Sequence, residues 1–194
     1  MNIQYLKAQS RDDLSKLVVH LTKDIDGTDS YDILIKIIRD LNINASKHYA
    51  ITNVEPKGAA CFYDVPLRNL QQLIETNPNN RKGYGILVDK NYLWYLGGRP
   101  VIYTDNINLG WPISEKFRLV NTEPNGNHPI DWTHEREWRV RGDLFLYNDT
   151  LASANITWWW ACVKLKTDAK DLFSKIDSIN SIYVIESEAL LIRP

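Results

Sequence analysis

Apolar positions recur along this chain with two different periods, and the switches between them lay out its elements. In "SYDILIKIIRDLNI" the residues Ile33, Leu34, Ile37, Ile38 and Leu41 fall at helical spacing, which predicts a helix with Ser30 as its cap. Before it, "SRDDLSKLVVHLT" reads as a short capped helix or turn entering a strand from Leu17 to Thr22. "GAACFYDVP" is a strand stopped by Pro66, and "PLRNLQQLIET" a helix with that proline at its first position. After the turn chemistry of "NPNNRKG" come "YGILVD", "NYLWYLGG" and "PVIYTD": a strand, a short helix with a glycine stop, and a strand. Residues 105–133 are rich in Asn, Pro and Gly, with a short element at "EKFRLV"; a connection this long is either a functional loop or a disordered one. "EREWRV" and "ITWWWACVKL" read as strands, the second apolar on both faces and so placed centrally in a sheet. "DAKDLFSKI" is a late helix, followed by "SIYVIE" and "ALLIRP". The pattern predicts one α+β domain over residues 1–194, its helices concentrated in the N-terminal half.

Within this pattern "DWTHEREWRVRG" carries an unusual strand. Strand alternation puts Glu135, Glu137, Arg139 and Arg141 on one face, with Arg136, Trp138 and Val140 on the other. The charged face has two readings. It is a solvated row of cross-strand ion pairs, individually weak. Or Glu137, rigidly held opposite a buried face, stabilises positive charge developing on a sugar carbon, as glycosyl transfer requires.

Composition narrows the classes. The chain of 194 residues is 44% hydrophobic and 24% charged, enough for one good core, and its net charge of −1 argues against a broadly basic nucleic-acid coat. Seven Trp and ten Tyr are more aromatic surface than packing alone requires. Cys61 and Cys162 sit in apolar runs, which predicts buried, reduced thiols. His48, His128 and His134 lack metal-ligand spacing, so no metal is expected. No apolar run spans a bilayer and the start lacks a signal-peptide core, so a cytoplasmic protein with no membrane partner is expected, and the Asn-X-Ser/Thr triplets at Asn44, Asn148 and Asn155 carry no meaning.

Other residues invite chemistry with a plainer alternative beside each. His20 in "VVHLT" can bond a ribose hydroxyl or a carbonyl, or serve as a satisfied structural residue. Tyr63 can stack on a flat ring and Asp64 cap the next helix; core plus cap is the alternative. Arg99 beside Gly97 and Gly98 can meet a phosphate, although "YLGGRPVIY" has neither the spacing nor the lysine of a phosphate loop, and a solvated turn is the default. Trp111 and Trp132 mark residues 105–133 as a substrate-contacting segment with exposed aromatics.

Taken in order, "HLT", the Ile/Leu-rich helix, "CFYDVPL", "YGILVDKNYL", "GGRPVIY" and "EREWRV" resemble the bacterial abortive-infection (AbiGi-like) and related families of phage-defence settings, over roughly Val18 to Val140. The same layout looks like a diverged ADP-ribosyltransferase fold, similar to the DarT-type enzymes. The resemblance implies a mixed or antiparallel split sheet with N-terminal helices and a protein that consumes NAD. By motif, His20 would hold the nicotinamide ribose, with Thr22 beside it and Arg99 at a phosphate. Tyr63 would pack on nicotinamide, with Phe62 and Tyr84 as alternatives for that position. Glu137 and His20 would be catalytic, and Glu135 with Trp111 and Trp132 would meet the acceptor, a nucleic acid or a protein. No counterpart of the NAD-contacting arginine of some members is evident. The contrasting expectation is a non-catalytic nucleotide- or partner-binding module of a defence system; a metal-independent nuclease acting through His20 and Glu135 is a third.

Overall fold

The helical period of "SYDILIKIIRDLNI" becomes helix α1, Ser30–Asp40, and the runs of branched and aromatic residues on either side become strands. The computed structural model describes residues 15–48, 51, 55–66, 69–76, 82–108, 110–124, 131–147, 158–176 and 184–186. Around α1 the order is β1 (Leu17–Leu21), β2 (Asn42–Ile43), β3 (Ala59–Tyr63), α2 (Leu70–Thr76), β4 (Gly85–Asp89) and α3 (Lys90–Tyr95). There follow β5 (Arg99–Pro100), β6 (Ile102–Thr104), β7 (Leu119–Asn121), β8 (Glu137–Arg141) and β9 (Leu144–Phe145). The last elements are β10 (Trp159–Val163), α4 (Lys166–Lys175) and β11 (Val184–Glu186). "SRDDL", most of "NPNNRKG", His128, Asn148, Asn155 and "ALLIRP" lie outside the described residues.

Seven strands form one sheet in the order β11-β10-β4-β1-β3-β8-β5. Its neighbours are antiparallel except β10 and β11. The fold class is therefore α+β with a mostly antiparallel sheet. β10 lies between β4 and β11, the interior place its apolar faces call for. β1 pairs with β4 through five registered residues but with β3 only at Val19↔Tyr63, so the ladder is thinnest at the β1–β3 seam.

Alternation divides the core. Val18, Phe62, Ile86, Val140 and Ala161 pack from one face against Leu34 and Ile38 of α1 and Leu172 of α4. Val19, Leu21, Tyr63, Leu87 and Cys162 pack from the other against Leu70 and Leu73 of α2. No helix among the described residues is long and apolar enough to cross a membrane.

Two local expectations are corrected, and a third, left open in type, takes its form. The cap of α1 is Asp29, whose carboxylate accepts the Tyr31 N–H at 2.8 Å, while Ser30 is buried as the first helical residue. α2 starts at Leu70 rather than Pro66, whose carbonyl instead accepts the Asn69 N–H in a turn. The element at "EKFRLV" is a 3₁₀ helix, Ile113–Arg118, running into β7, which pairs in parallel with β6.

Replacing Asp29 by Ala should cost about 1 kcal/mol of stability, and by Asn far less, since the amide oxygen can still accept the orphan N–H. Urea midpoints of the two variants measure this; equal losses would mean that the cap contributes nothing. The Lys82 ammonium first, and the Tyr31 N–H second, hold this carboxylate below its ordinary pKa. The cap's contribution is thus present at neutral pH and fades as acid protonates the folded carboxylate.

Candidate functional site

β3 and β8 bring together residues more than seventy positions apart. Their antiparallel register sets Tyr63 opposite Glu137, Phe62 opposite Trp138 and Cys61 opposite Arg139. Val19 of β1 pairs with Tyr63, so Val19, Tyr63 and Glu137 form one row across three strands on the α2 face.

Glu137 and Arg139 are both buried there, 8% and 6% exposed. Their alternation was expected; their desolvation was not. They point to the same side of the strand and pair bidentately, Nε to Oε1 and Nη2 to Oε2, each at 2.9 Å. Arg139 Nη1 reaches further, to the carbonyls of Phe117 at 3.2 Å and Leu119 at 3.1 Å. One guanidinium therefore clamps the catalytic candidate and straps the 113–121 segment to the sheet. At Glu137 and Arg139 the charged row is not a wet surface, since both Glu137 oxygens are held by a cation, while Arg141 at its end is exposed.

Glu135 does not continue the strand. It ends the 3₁₀ turn Thr133–Glu135, and Arg136 follows in the left-handed region at φ +46. A non-glycine residue there interrupts the alternation, so Glu135 is not on the Glu137 face by strand phase. It is nonetheless carried to the same place: Tyr63 Oη donates to Glu135 Oε1 at 3.3 Å. Tyr103, which the sequence reading passed over, accepts the Glu137 N–H at 3.2 Å. Burial raises the Tyr103 phenol above its ordinary pKa, so it stays protonated. Its signal was faint: one tyrosine in "PVIYTD", brought near when the Val101 N–H joins the Glu137 carbonyl at 2.9 Å. Tyr63, Tyr103, Glu135 and Glu137 thus gather at one end of β3 and β8.

The other sequence candidates lie elsewhere or are engaged. His20 is paired with Ile86 in the next row of the sheet, whose side chains face the opposite side. Its ring lies against Phe62, centroids 5.7 Å apart, and its Nδ1 meets the Cys61 carbonyl at 2.9 Å, taking up an acceptor at the thin β1–β3 seam. The row of Tyr63 and Glu137 does not include the imidazole. Thr22 is buried, its hydroxyl within 2.8 Å of the Ser30 carbonyl and 3.0 Å of the Tyr84 carbonyl. Arg99 stacks 3.8 Å over the Trp94 ring and donates from Nη1 to the carbonyls of Trp94 and Gly98. Among the described residues Asp64 caps no helix; it is buried, pairs with Lys90 at 2.6 Å and accepts Trp138 Nε1–H at 3.3 Å.

In the 105–133 segment Trp132 is exposed as expected, close to His134, whereas Trp111 is half-buried. Phe117, Leu119 and Val120 are buried, so the middle of the segment is an anchored strap.

The thiols are free, Cys162 buried and Cys61 half-buried. Burial pushes Cys162 up to about 12, and burial with the nearby Glu137 carboxylate pushes Cys61 well up, so neither is a thiolate nucleophile near neutral pH. Among the described residues no group of three or more His, Cys, Asp or Glu could hold a metal ion. Comparison with family models, with curated proteins and with solved structures gave no match.

Proposed function

We propose that the protein is an NAD-consuming mono-ADP-ribosyltransferase of a phage-defence system, with its reacting carboxylate at the Tyr63–Glu135–Glu137 cluster. The observation that carries the reading is this convergence: a phenol from β3 and two glutamates, one from β8 and one from the turn before it, meet at one end of the sheet. In such a reaction the bond from ribose C1′ to the nicotinamide nitrogen breaks and nicotinamide leaves neutral. The ribose carries the positive charge until an acceptor heteroatom bonds to C1′ and gives up its proton. A fixed carboxylate lowers the barrier by stabilising that charge. Of the two glutamates the electrostatic role falls to Glu135, which is half-buried and oriented by Tyr63, because both Glu137 oxygens are held by Arg139. Glu137 then anchors the site rather than reacting, which revises the role its motif position implies. An ADP-ribosyltransferase-like fold and a nucleic-acid or protein acceptor belong to the same proposal.

The same ion pair supports a second reading, a non-catalytic nucleotide- or partner-binding module that keeps the scaffold and has lost the chemistry. Nicotinamide release from NAD, measured with and without cell extract as a source of acceptor, separates the two. The transferase should release nicotinamide, faster when extract is added. Calorimetric binding of NAD with no release would leave only the binding module, and neither binding nor release would remove both NAD readings.

A further inference from the structure

The donors at the end of β3 and β8 are engaged with one exception. Tyr63 Oη donates to Glu135. Arg139 uses all three of its nitrogens, Nε and Nη2 on Glu137 and Nη1 on the strap carbonyls. Tyr103 differs. Its oxygen accepts the Glu137 N–H at 3.2 Å, and among the described residues its own O–H donates to nothing. The N–H takes the acceptor side of the phenol oxygen and leaves the hydrogen for another group. Burial first, and the Glu137 and Glu135 carboxylates after it, raise the phenol's pKa and keep that hydrogen in place at neutral pH. The residue is held from two sides: Tyr103 is registered with Val120 of the strap, and the Val101 N–H bonds the Glu137 carbonyl. A half-buried donor fixed in this way has an acceptor still to find.

We propose that Tyr103 is a substrate-binding residue, its hydroxyl donating to the 2′-hydroxyl oxygen of the ribose whose C1′ reacts. The proposal rests on the transferase reading and adds to it the donor that a sugar needs beside a carboxylate. The chemistry of the cluster selects the group. A phosphate or carboxylate placed there would face Glu135 and Glu137 where the Arg139 guanidinium is already engaged, and like charges at such range repel. A hydroxyl fits, because it accepts from a phenol and donates to a carboxylate at once. The hydroxyl on the carbon next to C1′ is the one brought beside a carboxylate set to stabilise charge at C1′.

Calorimetric titration of the full chain with NAD, ADP-ribose and ADP is the test. ADP-ribose keeps the ribose and lacks nicotinamide; ADP lacks both. Tyr103→Phe removes the hydroxyl alone. It should weaken NAD and ADP-ribose alike by about three- to tenfold, the effect of one neutral hydrogen bond, and leave ADP unchanged. Tyr95→Phe, on an exposed ring at the end of α3, should change none of the three. The Tyr103 oxygen also serves the Glu137 N–H, so melting temperatures are recorded and titrations are run well below them. Should Tyr103→Phe fail to fold, NAD lacking the 2′-hydroxyl of its nicotinamide ribose takes its place. The wild-type chain should bind that analogue more weakly than NAD by a similar factor, and equal binding would overturn the proposal. A folded Tyr103→Phe that binds NAD as the wild type does would overturn it and leave the transferase reading standing. Equal weakening of ADP would make the residue structural, and weakening of NAD alone would move its bond to the carboxamide; either result overturns the ribose assignment. No binding of NAD by the wild-type chain would instead remove the transferase reading, and this proposal with it.

Discussion

Arg139→Ala should destabilise the protein by about 3–5 kcal/mol, the cost of removing one partner from a buried ion pair. The substitution leaves the Glu137 carboxylate desolvated with neither of its two guanidinium bonds. It also orphans two acceptors on the strap, the carbonyls of Phe117 and Leu119. Against a total stability of about 5–15 kcal/mol, that is a large fraction. The double variant Glu137→Leu, Arg139→Met separates the contributions. Replacing a buried pair by apolar groups of similar size is often neutral or better, but the strap carbonyls stay unpartnered, at about 1–3 kcal/mol each where they remain buried. The double variant should therefore recover much of the loss without reaching the wild type. Urea unfolding with slopes compared across the variants is the measurement. An Arg139→Ala loss below about 1 kcal/mol would show that the pair is solvated, as an exposed pair would be.

What could be read in the sequence, and what could not, follows from which interactions are local. α1 and β10 were legible because burial leaves its period in the chain: Leu34, Ile37 and Ile38 on one helical stripe, and an unbroken apolar run at Trp160–Val163. "EREWRV" was legible as a strand, yet its first two residues are not in it. The break is Arg136, in the left-handed region without the Gly or Asn that would have announced it. The burial of Glu137 and Arg139 was hidden for another reason. A charged row is nearly always solvated, and here a strap from outside the strand, residues 113 to 121, brings its carbonyls onto Arg139. His20 shows the limit of a motif. The histidine is in the expected strand, but the register of β1 with β4, which no short motif encodes, decides which side of the sheet its ring faces. The Trp94–Arg99 stack was equally silent, since a glycine turn folds the arginine back onto the helix it follows.

Glu135→Gln and Glu137→Gln should fail in different ways, and the difference assigns the chemistry. At Glu135 the amide keeps an oxygen to accept the Tyr63 hydroxyl and the residue is only half-buried, so the loss of stability should be smaller than at Glu137. Its charge is gone, however. If Glu135 faces the developing ribose cation, nicotinamide release should fall by about 10²–10³-fold, the effect of losing one preorganised electrostatic contact. NAD affinity should change little, because the ground state carries less positive charge at that carbon. At Glu137 the same substitution leaves the Arg139 guanidinium buried beside a neutral amide, so its first consequence is a loss of stability of several kcal/mol. Assayed well below its melting transition, where the variant is folded, it should release nicotinamide at a rate much closer to the wild type than Glu135→Gln does. Both variants are to be measured for melting temperature, NAD binding and nicotinamide release in the same buffer. Wild-type release from Glu135→Gln would remove Glu135 as the reacting carboxylate. A folded Glu137→Gln that binds NAD and releases nothing would return that role to Glu137, with Arg139 as the group that must let it go.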